Sequence, residues 1–154
     1  MKSASLVVIG LVVSFLLSAH LKAATGAGTK FDGTWAVTLD GKVYKNPDGS
    51  IAQPFIRHFP ATVKNGLFHG EIGIRGKPNW LELSGEIEAD GAAALRVVEI
   101  SGEQKYNFTT GRKAPPGTGN HYSYGVKASF DGQRGTGRST DFRTRIFTFV
   151  KEDK

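Results

Sequence analysis

Cysteine is absent from the chain, tryptophan occurs only twice, and no uncharged apolar run reaches bilayer length. The missing cysteine rules out disulfide staples for a small core and a lipid-modified cysteine behind an export signal. Beyond the first two dozen residues no stretch repeats its apolar residues every 3.6 positions, so amphipathic helices are not expected. His-x-His, His-Glu-x-x-His and Gly-x-Ser-x-Gly are all missing, and the Gly-rich stretch 111–119 lacks the Lys-Ser/Thr of a phosphate loop. The sequence therefore names no catalytic residue, no metal site and no cofactor, and the expected protein is not an enzyme.

What is present is an export layout followed by a β-pattern. Lys2 precedes an apolar segment from Leu6 through Leu17, and small residues surround Ala23 and Ala24. This is the three-part order of a secretory signal peptide. The apolar segment is shorter than the roughly 20 residues a spanning helix needs, which leaves a retained anchor as the alternative. The expected organisation is a signal peptide over residues 1–24, a flexible leader over 25–30 and one domain over 31–154. The expected location is secreted or periplasmic. Losing Lys2 and Lys22 lowers the net charge from +6 to about +4. The remaining cations are spread singly, which argues against nucleic acid as a partner.

Six Asp-Gly or Asn-Gly pairs punctuate the chain, at residues 32–33, 40–41, 48–49, 65–66, 90–91 and 131–132. Such pairs tolerate positive φ and suit the turns that join antiparallel strands. Between them, apolar and polar residues alternate. Trp35, Val37 and Leu39 share one strand face; Phe55, Phe59, Ala61 and Val63 share another, together with Arg57. Phe68, Ile72 and Ile74 fall together, as do Leu81, Leu83 and Ile87. Further strands are expected over 92–100, 105–110, 122–130 and 141–151, with loops at 42–53 and 111–119 and a Gly-rich stretch at 134–140. About eight strands at such spacing predict an all-β fold, an antiparallel up-and-down β-barrel that leaves no edge open.

The segment Phe31-Asp32-Gly33-Thr34-Trp35 resembles the Gly-x-Trp opening strand of calycins: the lipocalins, fatty-acid-binding proteins and avidins. The resemblance implies that Trp35 plugs one barrel end and that a cation of the last strand, Arg145 or Arg143, lies over its ring. Thr144-Arg145-Ile146-Phe147 is similar to the end of fatty-acid-binding proteins, where Arg and Tyr hold a carboxylate; Phe147 stands where the tyrosine would be. Two tryptophans are too few for the aromatic box of avidins. The chain also resembles Gly-rich, signal-bearing β-modules of secreted bacterial proteins.

Two functions follow as expectations. One is binding of a small apolar or amphipathic ligand in the lumen, lined by Arg57, Phe59, Phe68, Tyr122, Tyr124 and Arg145, with the arginines anchoring an acidic head. The other is a cell-envelope structural or interaction module with a filled core, acting on an envelope component through loops and surface. His58, His69 and His121 are isolated and read as solvent-facing. Glu82 and Glu86 share a polar strand face and lack the cleft a glycosidase pair requires.

Overall fold

Alternation of apolar and polar residues puts one face of each barrel strand inside, and the described residues form ten strands: β1 (Gly33–Gly41), β2 (Tyr44–Lys45), β3 (Ile51–Ala52), β4 (Phe55–Lys64), β5 (Leu67–Ile72), β6 (Leu81–Ile87), β7 (Ala92–Ile100), β8 (His121–Asp131), β9 (Arg134–Ser139) and β10 (Arg145–Lys151). The computed structural model describes residues 28–45, 49, 51–102, 112 and 114–153. The signal peptide expected over 1–24, the first part of the expected leader and the strand expected over 105–110 lie outside these residues.

Eight strands close into an antiparallel barrel in the order β1-β10-β9-β8-β7-β6-β5-β4, and β4 returns to pair with β1. The small β2-β3 ladder stands apart, within the connection from β1 to β4. Every barrel neighbour is antiparallel, so the connections fall alternately at two ends. Turns β4-β5, β6-β7 and β8-β9 lie at one end, beside the start of β1 and the finish of β10. The longer connections, β1-β4, β5-β6, β7-β8 and β9-β10, leave and re-enter the barrel at the other.

At the tight-turn end the local chemistry is legible. Asn65 (φ 53°) and Gly66 (φ 78°) make the two-residue β4-β5 turn. The Asp32 carboxylate accepts hydrogen bonds from both of their backbone N–H groups, at 3.0 and 3.3 Å. At the β6-β7 turn Gly91 has φ 92°, and a Cβ there would sit 2.0 Å from the Phe130 carbonyl oxygen. No residue but glycine fits.

Interior positions are filled by side chains. Trp35 is fully buried and its Nε1–H donates to the Phe31 carbonyl at 3.0 Å. Its ring meets Phe130 edge-on, at 5.3 Å and 88°. Phe130 in turn lies 4.8 Å from Phe149, and Phe149 meets Phe68 at 5.4 Å. Edge-on and offset contacts of this kind let ring edges face ring faces, as their quadrupoles prefer. Packed rings thus fill the barrel at the Trp35 end.

Two expectations need correction here. Residues 134–139 of the Gly-rich stretch, outside the expected strands, form a barrel strand, β9. Its inward positions are Gly135, Gly137 and Ser139, and the missing Cβ atoms of the two glycines leave room for Phe130 and Val126. Ile74, expected inside with Phe68 and Ile72, lies beyond the end of β5 and is 72% exposed.

Candidate functional site

The strand register decides which polar residues meet. Gly41, at the end of β1, pairs with Arg145 on β10 and with Phe55 on β4. Trp35 pairs with Lys151. Six residues of strand separate the two positions, about 20 Å at 3.3 Å per residue. Arg145 therefore does not lie over Trp35, and neither does Arg143. The last-strand cation beside that ring is Lys151, its Nζ 6.0 Å from the centroid.

Arg145 serves the opposite, long-loop end. It is 4% exposed. Its guanidinium lies 2.7 Å from Asp141 and 3.5 Å from Glu99, and its Cζ sits 4.0 Å from the Tyr124 ring centroid. Two carboxylates and a ring face thus surround one buried cation, which is the pairing a buried charge requires. Ser139 on β9 fixes the base of this arrangement: its Oγ donates to the Arg143 carbonyl and accepts from the Arg145 N–H.

Asp141 comes from the β9-β10 connection, and the other partners arrive on strands by the period-two rule. Glu99 is the inward residue of β7 after Leu95 and Val97, and it pairs with Tyr122 of β8. Tyr122 and Tyr124 are successive inward residues of β8. Arg57 is the inward residue of β4 before Phe59, with its Cζ 5.5 Å from the Phe55 ring. Arg143 lies between the Tyr122, Tyr44 and Phe142 rings at 5.3 to 5.7 Å. That contact ties the β2-β3 excursion to the β9-β10 loop.

Burial raises the Glu99 carboxyl above its usual value, against the opposing pull of Arg145, Arg57 and Arg143. Burial also raises the Tyr124 hydroxyl, reinforced by the charge of Glu99. Three arginines gather about two carboxyl groups, so cations outnumber acids and the locality favours an added negative charge. Among the described residues, Arg57 Nη1, Tyr124 Oη and Asp141 Oδ1 are buried without a hydrogen-bond partner. Orphaned polar atoms in a native interior call for a partner from water or a ligand.

Of the lumen residues read from the sequence, Arg57, Tyr122, Tyr124 and Arg145 come together at this end. Phe59 is packed in the core below them, and Phe68 belongs to the aromatic cluster at the Trp35 end. Glu99 and Asp141 escaped sequence reasoning. The alternation from Ala93 through Val97 does place Glu99 inward, and an acid at such a position is the signal that was there to be read. Elsewhere, His58 Nδ1 lies 3.1 Å from Thr38 Oγ1, Glu82 binds Arg75, and no group of three potential metal ligands occurs among the described residues. Comparison with protein-family models, with curated proteins and with solved structures finds no match.

Proposed function

We propose that this chain is an exported, non-catalytic barrel of calycin type that binds a small amphipathic molecule by its acidic head at the long-loop end. The carrying observation is the set of buried, unpartnered groups there. Arg57 Nη1 and the Tyr124 hydroxyl are donors suited to a carboxylate. Asp141 Oδ1 is an acceptor for a ligand hydroxyl or a bridging water. Arg145 holds the frame, because both of its carboxylate partners already occupy it. Packed rings at the other end of the interior restrict the ligand to a short apolar portion near the mouth.

Octanoate is a suitable probe, with octanol as the control that lacks the acid. Titration calorimetry is expected to give saturable binding of octanoate, little binding of octanol, and at least a tenfold weaker constant for Arg57→Ala. Equal binding of both compounds, or an unaltered constant in Arg57→Ala, contradicts the reading. The filled aromatic interior supports a second reading, an envelope module that acts through its surface; there octanoate would not bind at all.

A further inference from the structure

The surface of the barrel is as polarised as its interior. Eight large hydrophobic side chains are exposed among the described residues, and six of them, Val43, Ile51, Phe55, Ile56, Ile74 and Phe142, lie at the long-loop end. Leu67 and Val150 are the two elsewhere. The six come from three different connections or the strand starts beside them. The β1-β4 connection carries Val43 and Ile51 and leads into Phe55 and Ile56. In the barrel order β10-β9 flanks β1 on one side and β5-β6 flanks β4 on the other, so Phe142 and Ile74 sit to either side of that connection. The apolar groups thus follow the rim over three of its four connections, whereas a strand-shaped peptide partner would want a single open edge.

Exposed charge in the described connections of the same rim is cationic: the side chains are Lys42, Lys45, Arg75, Lys77 and Arg112. Lys42 is paired with Asp40 and Arg75 with Glu71 and Glu82, half-buried acids of the adjoining strand ends, which leaves Lys45 and Lys77 as the lysines outside those pairs. The acid there, Asp141, is half-buried against Arg145. The opposite end mixes exposed Glu88, Asp90, Asp131, Glu152 and Asp153 with Lys30, Lys64 and Arg134. Apolar tips interleaved with lysine and arginine are what an anionic lipid surface takes up, the tips entering the acyl boundary and the cations staying with the headgroups.

We propose that the long-loop rim docks on an anionic lipid bilayer, with Phe142 and Ile74 among the inserted tips and Lys45 and Lys77 among the cations at the headgroups. The inference rests on the surface alone and stands whether or not octanoate binds inside. Because the chain has no cysteine, orientation can be read with single labels. The full chain is labelled with an environment-sensitive dye on Phe142→Cys or, at the opposite end, on Leu67→Cys, and vesicles of phosphatidylglycerol and phosphatidylcholine are added. The expected result is a blue shift for the Phe142→Cys label only, at least tenfold weaker with phosphatidylcholine alone, and reduced by salt or by Lys45→Glu with Lys77→Glu. An N-terminal apolar segment inserted by itself would bring the chain to vesicles without that shift, and this outcome overturns the proposal. Equal shifts from both labels overturn it too. So does a Phe142→Cys shift that needs no lipid and grows with protein concentration, which would assign the rim to a second copy of the chain.

Discussion

Arg145 stands where three demands meet: a buried cation, a ring to cover and two acids to pair. Removing it leaves Glu99 and Asp141 without their shared partner in a desolvated place. Breaking a buried pair from one side costs about 3–5 kcal/mol, so Arg145→Ala is expected to lower the unfolding free energy in urea by that amount. Arg145→Lys should recover only part, because an ammonium cannot present the planar fork to two carboxylates. Glu99 adds a pH dependence with a definite sign. Its folded-state pKa is raised above the usual value of 4.5, so the folded protein holds this proton more tightly than the unfolded chain. The stability it contributes is complete below 4.5 and declines as pH climbs through the raised folded value. The difference in unfolding free energy between the protein and Glu99→Gln, followed by urea titration from pH 4 upward, should therefore move in favour of Glu99→Gln as pH rises. A difference moving the other way would assign Glu99 a dominant attraction to the arginines instead.

Among the elements, hairpins with strong turn chemistry and alternating faces were open to sequence reasoning, and those lacking either were not. Asn65-Gly66, Asp90-Gly91 and Asp131-Gly132 join consecutive strands as expected. Asp32-Gly33 and Asp40-Gly41 have other uses, the first as an acceptor for the β4-β5 turn and the second within the end of β1. β9 was illegible because glycine erases alternation, though it is glycine that lets the strand pass beside the Phe130 ring. A Cβ on Gly135 would meet Phe130 Cδ1 at 2.8 Å and the Ser129 carbonyl at 3.1 Å. Gly135→Val is accordingly expected to lose about 1–3 kcal/mol by overpacking, measured by thermal or urea unfolding. For Asp32→Ala, loss of the shared acceptor should speed amide exchange at Asn65 and Gly66 roughly fivefold or more, equivalent to about 1 kcal/mol per lost bond. Exchange elsewhere in β4 and β5 should change little.

At the scale of the whole fold, the described strands form an antiparallel cylinder with two unlike ends, and only the cylinder could be read in advance. Alternation tells which residues point inward, but not how far one strand is shifted against the next. That stagger is set by hydrogen-bond register around the closed sheet. Trp35 and Arg145 were both recognisable as inward residues at the two chain ends, yet the register that pairs Trp35 with Lys151 and Arg145 with Gly41 places them at opposite mouths. Phe59 and Phe68 likewise point inward but fill space at different depths. The division of labour that follows is physical: small turns and packed rings close one mouth, while at the other the strand ends and the β9-β10 connection bring together the arginines, the raised carboxyl and the orphaned polar atoms.

An amide NMR titration with octanoate tests that division most directly. The expected shifts gather at residues 55–57, 99, 122–124 and 141–145, while the Trp35 indole signal stays in place. Shifts centred on Trp35 and Phe130, or none at saturating octanoate, would contradict the account.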